Sequence, residues 1–131
     1  MAQAILQDLV GKEQLAANVK SAGIYAREGS FASDNAVQAM QRMGLDLTSH
    51  KSTLLSASLV NWADLILTMT QGQKNDLIRV FPDATEKTDT VSAYLQGTIA
   101  DVHDPFGGNL DVYLRCAQYL QDLFYHNIEK I

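Results

Sequence analysis

The chain holds a single cysteine, Cys116, in 131 residues, so no internal disulfide framework can hold it together and a reducing, cytoplasmic setting is expected. Prolines number two, and no Pro-, Gly- or Ser-rich tract marks a linker. Residues 1–131 are therefore expected to fold as one domain around one core. Apolar runs are short, the most continuous lying around Leu65 and Leu67, which excludes a membrane-spanning helix. The start of the chain lacks the basic stretch, apolar run and small-residue cleavage site of a secretion signal. Basic charge is scarce too: 10 Lys and Arg stand against 15 Asp and Glu, a formal charge of -5. Without a Lys/Arg stripe to neutralise phosphates, nucleic acid is excluded as a partner. The three histidines, His50, His103 and His126, are scattered and show no metal-ligand spacing, so neither a metal nor another cofactor is expected.

What is present is apolar: 47% of residues are hydrophobic and 19% charged, enough to build a core and too much for a disordered segment. Ile5, Leu6, Leu9 and Val10 recur at helical spacing and predict an amphipathic helix from residue 2 to about 18. It starts at Met1 without a cap, a strand or a turn before it. Residues 19–24 read as a strand, followed by a polar loop. Ser33 or Asp34 caps a helix carrying Ala36, Val37 and Met40, with Gly44 as its stop. Ser56 opens a shorter helix to Trp62, and residues 64–69 are continuously apolar, as in a strand covered on both faces. A helix over 71–80 ends before Pro82, and 88–91 offers a short strand. Asn109 caps a long helix with Leu110, Tyr113, Leu114, Ala117, Leu120, Phe124 and Ile128 on one stripe. Helices alternating with short strands imply an α/β fold: a parallel sheet with flanking helices in three layers, its chemistry at the carboxyl ends of the strands.

Cys116 lies inside the long helix beside its apolar stripe, where a cysteine behaves as a small buried hydrophobe. A phosphate-cradling loop needs an arginine six residues after the cysteine, and Asp122 stands there. His50 is expected to organise the loop after the second helix, and His126 to be solvated near a helix end. The segment Asp101-Val102-His103-Asp104-Pro105-Phe106-Gly107-Gly108 differs in kind. A residue before proline is driven into extended geometry and two glycines allow a sharp turn, so the Asp104 carboxylate projects from a constrained loop at a helix start. That placement suits a general acid, although turn chemistry alone also calls for Asp, Pro and Gly.

Taken together, Ser21-Ala22-Gly23, the stretch from Asp34 to Gly44-Leu45-Asp46-Leu47, His50, Asp64-Leu65-Ile66-Leu67-Thr68-Met69 and Asp104-Pro105-Phe106-Gly107-Gly108 resemble the low-molecular-weight protein tyrosine phosphatases over nearly the whole chain. The Asp-Pro-Phe-Gly-Gly form is most similar to the bacterial branch that includes protein-arginine phosphatases, and Met1-Ala2-Gln3-Ala4 is similar to the start of that family's first helix. The resemblance implies a four-stranded parallel sheet and hydrolysis of a phosphorylated protein through a phosphocysteine intermediate. Asp104 matches the family's general acid and base; Phe106, in the same loop, and Tyr25 would wall the substrate pocket.

One departure bears on function. The family's first strand and its Cys-x5-Arg-Ser loop, which precede the helix that here begins at Met1, have no counterpart in these residues. The chain thus reads as an N-terminally truncated member, inactive as written, with the first interior strand of the sheet missing. Loss of about four buried apolar side chains at roughly 1.5–3 kcal/mol each rivals a typical stability of about 5–15 kcal/mol, and the exposed sheet edges invite self-association. A catalytically dead relative that binds a protein partner is the alternative. An arsenate reductase on the same fold would need further cysteines, which the chain lacks.

Overall fold

Ile5, Leu9 and Val10 are buried along one face of α1 (Ala2–Lys12), at the helical spacing the sequence shows. In the computed structural model, which describes residues Met1–Ile131, this helix is shorter than its apolar pattern predicts. Gln14 turns to a left-handed φ of 55°, its amide donates to Gly11 O at 3.2 Å and that of Leu15 to Val10 O at 3.0 Å. Those two bonds close a Schellman motif without the usual glycine. Ser33 caps α2 (Asp34–Arg42) through the Ala36 amide. The same motif ends α2 where expected, with Gly44 at φ 76° and the Leu45 amide on Met40 O at 2.8 Å.

Ser56 caps α3 (Ala57–Trp62), which leads into β1 (Ile66–Thr68). Thr70 then starts α4 (Gln71–Val80) with a reciprocal capping box: its side chain receives the Gln73 amide while the Gln73 side chain receives the Thr70 amide. A 3-10 helix over Pro82–Lys87 brings the chain to β2 (Thr88–Thr90), which pairs parallel with β1 in the register Ile66 to Thr88 and Thr68 to Thr90. The expected α/β class with parallel pairing is therefore present, in a sheet of two short strands. Residue 91, read as the end of a strand, instead begins α5 (Val91–Gln96), capped by Thr90 and stopped by Gly97. The long helix is α6 (Leu110–His126), capped by Asn109.

The core lies where α1 and α2 meet α6: Ile5, Leu9, Ala39 and Met40 pack with Tyr113, Ala117, Leu120, Leu123 and Phe124, closed by Val91 and Leu95 of α5. A smaller cluster of Val60, Leu77 and Ala84, with Ile24, Leu55, Ile66 and Phe81 against it, holds α3 and α4 together.

Residues 19–24 depart most from expectation. They form no strand, only a single parallel bridge between Gly23 and Leu54. A strand needs partners along its length, and here the edge away from Leu54 has none. The core strand is open in the same way: β1 pairs only with β2, and Ile66 and Leu67 are half-buried although their sequence suits cover on both faces. The accessible surface, 8032 Å², is correspondingly large for 14.4 kDa; a compact monomer of that mass exposes about 6,800 Å². No helix is long and apolar enough to cross a membrane.

Candidate active site

The turn that carries Asp104 is fixed at both ends. On the entering side, the Val102 amide donates to Met69 O at 2.8 Å, tying the segment to the carboxyl end of β1, and Val102 is buried. Asp101 accepts the Gln71 amide at 2.9 Å and so links the same segment to the start of α4. On the leaving side, the Gly108 amide donates to Pro105 O at 2.9 Å, and the Asn35 side chain donates to Gly108 O at 3.2 Å, joining the turn to α2. Gly107 takes φ 81°, the left-handed region that favours glycine. Inside this frame Asp104 Oδ1 accepts the Phe106 amide at 3.0 Å. The carboxylate is exposed and its direction is set by that bond.

α1 brings its N-terminus to the same region. The Ile5 amide reaches Met1 O at 3.1 Å, and Met1 supplies no side-chain cap. The amides of Ala2, Gln3 and Ala4 are thus left without helical partners, an arrangement that favours negative charge. Burial pushes the Met1 ammonium below its ordinary pKa, against the pull of Cys116. Burial pushes the Cys116 thiol up; the Met1 ammonium opposes this and the Asp104 carboxylate adds to it. His50 is lowered, first by burial and then by the Met1 charge. The Met1 end of α1 thus lies near both Cys116 and His50, and the Asp104 carboxylate lies near Cys116. Cys116 Sγ lies 4.0 Å from His103 O, which seats the thiol under the turn. A half-buried thiol with a raised pKa stays protonated at neutral pH and is a poor nucleophile.

Phe106 shares the turn with Asp104 and is 82% exposed, free to touch a ligand. Tyr25 is 77% exposed, and its hydroxyl receives Arg79 Nη2 of α4 at 3.4 Å. His50 lies half-buried in the loop after α2, its amide on Leu47 O, and His126 ends α6 in solvent. No three His, Cys, Asp or Glu side chains gather into a metal-holding group. An open depression of about 330 Å³ beside α1 is lined by Gln3, Gln7, Asp8, Asp46, Ser49 and His50 and does not include Asp104.

The profile of the low molecular weight phosphotyrosine protein phosphatases matches residues 1–130. The chain belongs to that family. Within it, the protein-arginine-phosphatase of Geobacillus stearothermophilus is 37% identical over 131 residues, all of this chain and 86% of the relative. The solved low molecular weight protein tyrosine phosphatase from T. tengcongensis superposes with a TM-score of 0.94 at 32% identity, covering 99% of this chain and 88% of the other. A YwlE arginine phosphatase variant, solved with its active-site serine phosphorylated, gives a TM-score of 0.91 at 34% identity, over 93% of this chain and 80% of that one.

Sequence reasoning did not single out Asn35 or Asp101. Both act through hydrogen bonds to distant backbone, Asn35 to Gly108 and Asp101 to Gln71, and nothing local marks such bonds.

Proposed function

We propose that the protein works on phosphorylated proteins, with phosphoarginine as the favoured group, and that Asp104 is the acid and base of the reaction. The observation that carries this reading is the tethered turn that aims the Asp104 carboxylate and sets it near Cys116, in a chain 37% identical to a protein-arginine-phosphatase. In the first step a thiolate attacks phosphorus; the S–P bond forms as the P–N bond of phosphoarginine, or the P–O bond of phosphotyrosine, breaks. Asp104 gives its proton to the departing nitrogen or oxygen. In the second step Asp104 takes a proton from the water that attacks phosphocysteine, releasing phosphate and the thiolate. Phe106 and Tyr25 line the approach of the substrate.

The thiolate is not supplied by these 131 residues. Cys116 is their only cysteine, it is held protonated, and no arginine stands six residues after it. Removing the nucleophile from such a site costs on the order of a millionfold in turnover, so the chain by itself is expected to be inactive. The test is hydrolysis of p-nitrophenyl phosphate and of a phosphoarginine-bearing protein, by the chain alone and by a fusion carrying a strand and a Cys-x5-Arg-Ser loop ahead of Met1. Turnover is expected only in the fusion, and Asp104→Asn should lower its kcat by about 10²- to 10⁴-fold. Hydrolysis by the unfused chain, or a fusion indifferent to Asp104→Asn, overturns the reading.

The open edge of β1 favours a second reading, a protein-binding module without catalysis that self-associates through its sheet edge. An apparent mass that rises with concentration while both proteins stay inactive would select it. A free thiol and no disulfide suit a reducing cytoplasm in either case.

A further inference from the structure

We infer that the cavity between α3, the end of α4 and the 3-10 helix over Pro82–Lys87 binds a small carboxylate with a compact apolar body, anchored by Lys87. The cavity has a volume of about 260 Å³, and Val60, Val80, Phe81, Pro82 and Ala84 line it together with Lys87 and Asp83. Ligand pockets of ordinary size begin at roughly 300 Å³, so the occupant is limited to a single ring or a short chain. Its walls are fixed before anything binds. The Phe81 amide donates to Leu77 O at 2.8 Å, the Ala84 amide to Phe81 O at 3.0 Å and the Thr85 hydroxyl to Pro82 O at 2.6 Å. Val60 and Ala84 are themselves buried in the smaller apolar cluster. Such walls need no ordering on binding, which spares the ligand that cost.

The sign of the ligand's charge follows from Lys87. Its Nζ donates to Val60 O at 2.5 Å and to Ala63 O at 2.8 Å, which holds the ammonium at the carboxyl end of α3. Those carbonyls offer dipoles, not a full counter-charge. The ion pairs of the molecule are Lys12–Asp8, Lys74–Asp89 and Arg79–Asp76, and none uses Lys87. Lys87 is therefore a half-buried cation, fixed by two of its N–H groups, with the third left over. A carboxylate within reach would gain a charge-assisted hydrogen bond, screened less than one at an open surface. Asp83 is the lone carboxylate among the lining residues; it is exposed, so water screens its repulsion. Position sets this cavity apart from the candidate active site. Ala63 and Lys87 lie just ahead of β1 and β2, at the amino ends of the strands, whereas the Asp104 turn is tied to Met69 at the carboxyl end of β1.

The experiment titrates phenylpropionate into the ¹⁵N-labelled 131-residue chain at low salt and follows amide shifts, beside phenylpropanol and phenylpropylamine, which keep the ring and change the charge. Expected are saturable shifts at Ala63, Ala84 and Lys87 and none at Phe106 to Gly108, with a Kd of about 1 mM for a ligand this small. The alcohol should bind about fivefold or more weakly, and added salt should narrow that difference. Lys87→Met should bring phenylpropionate down to the level of the alcohol. Because that change also frees the α3 carbonyls, Val80→Glu serves as a second variant: the side chain is 54% exposed on the cavity wall, so a carboxylate there leaves circular dichroism unchanged and weakens phenylpropionate by about threefold or more. Equal affinity for the acid and the alcohol, or the absence of saturable shifts at these amides up to about 10 mM, overturns the inference. A preference for the amine overturns it too, by assigning the cavity to Asp83.

Discussion

Gly108 makes the Asp104 turn possible, and its replacement by alanine gives the sharpest test of how that turn is held. A methyl group at this position would sit 2.8 Å from both Cβ and Cγ1 of Val112 and 3.0 Å from Pro105 O. Two of those three atoms cannot swing away: the Val112 Cβ is fixed by the α6 backbone, and Pro105 O is the acceptor for the Gly108 amide at 2.9 Å. Valine's stiff χ1 leaves its Cγ1 little more freedom. The turn must therefore separate from the first turn of α6, a clash of the kind that costs about 1–3 kcal/mol in packed sites. For a chain of this length that corresponds to a fall in Tm of roughly 3–12 °C. Thermal unfolding followed by circular dichroism reads it directly. Val112→Gly removes both valine contacts, so the double variant Gly108→Ala/Val112→Gly should be more stable than the sum of the single effects predicts, by about 1 kcal/mol or more. A Gly108→Ala protein within about 0.5 kcal/mol of the parent, or strictly additive variants, would refute the claim that this contact shapes the turn.

Gln14→Gly should stabilise the chain by about 0.5–1 kcal/mol in chemical denaturation, because a left-handed φ strains a residue with a Cβ more than glycine's extra unfolded-state freedom costs. Thr70→Ala should destabilise by about 1 kcal/mol through loss of the α4 cap, and Thr70→Ser should recover most of it. The His50 imidazole should titrate below the ordinary histidine range in NMR. Since its folded pKa lies below the unfolded one, its contribution to stability is present above about pH 6.5 and is lost as pH falls through the folded value. An unshifted midpoint would place His50 in solvent.

The contrast between Gln14 and Gly44 shows which features of the fold are legible. Both residues end a helix with the same pair of hydrogen bonds and the same left-handed φ. Gly44 announces its stop because glycine is the residue that tolerates the conformation freely. Gln14 announces nothing, so the apolar pattern appears to run on toward residue 18 while the helix ends at Lys12. Caps made by Ser33, Ser56 and Asn109 were readable for the corresponding reason: each is a short polar side chain directly before an apolar stripe. α5 escaped because six residues are too few for a helical period to stand out, although Thr90 and Gly97 bracket it.

Strand content depends on partners in a way helix content does not, and this is why residues 19–24 and 64–69 fared differently from the helices. A helix closes its hydrogen bonds within its own segment, so local sequence decides it. An extended segment becomes a strand only as far as neighbours pair with it. Residues 19–24 have the composition of a strand and are reduced to one bridge at Gly23, whereas Ile66–Thr68 keeps its ladder because β2 lies alongside. The site divides in the same manner. The turn carrying Asp104 and Phe106 was legible because Asp-Pro-Phe-Gly-Gly encodes its own geometry, while the tethers that aim it, from Asn35 and Met69, come from sequence positions more than 30 residues away. Local chemistry therefore specifies the turn, and long-range pairing decides where its Asp104 carboxylate points. Breaking the Asn35 tether should accordingly disturb the turn while leaving α2, which is capped independently by Ser33, in place.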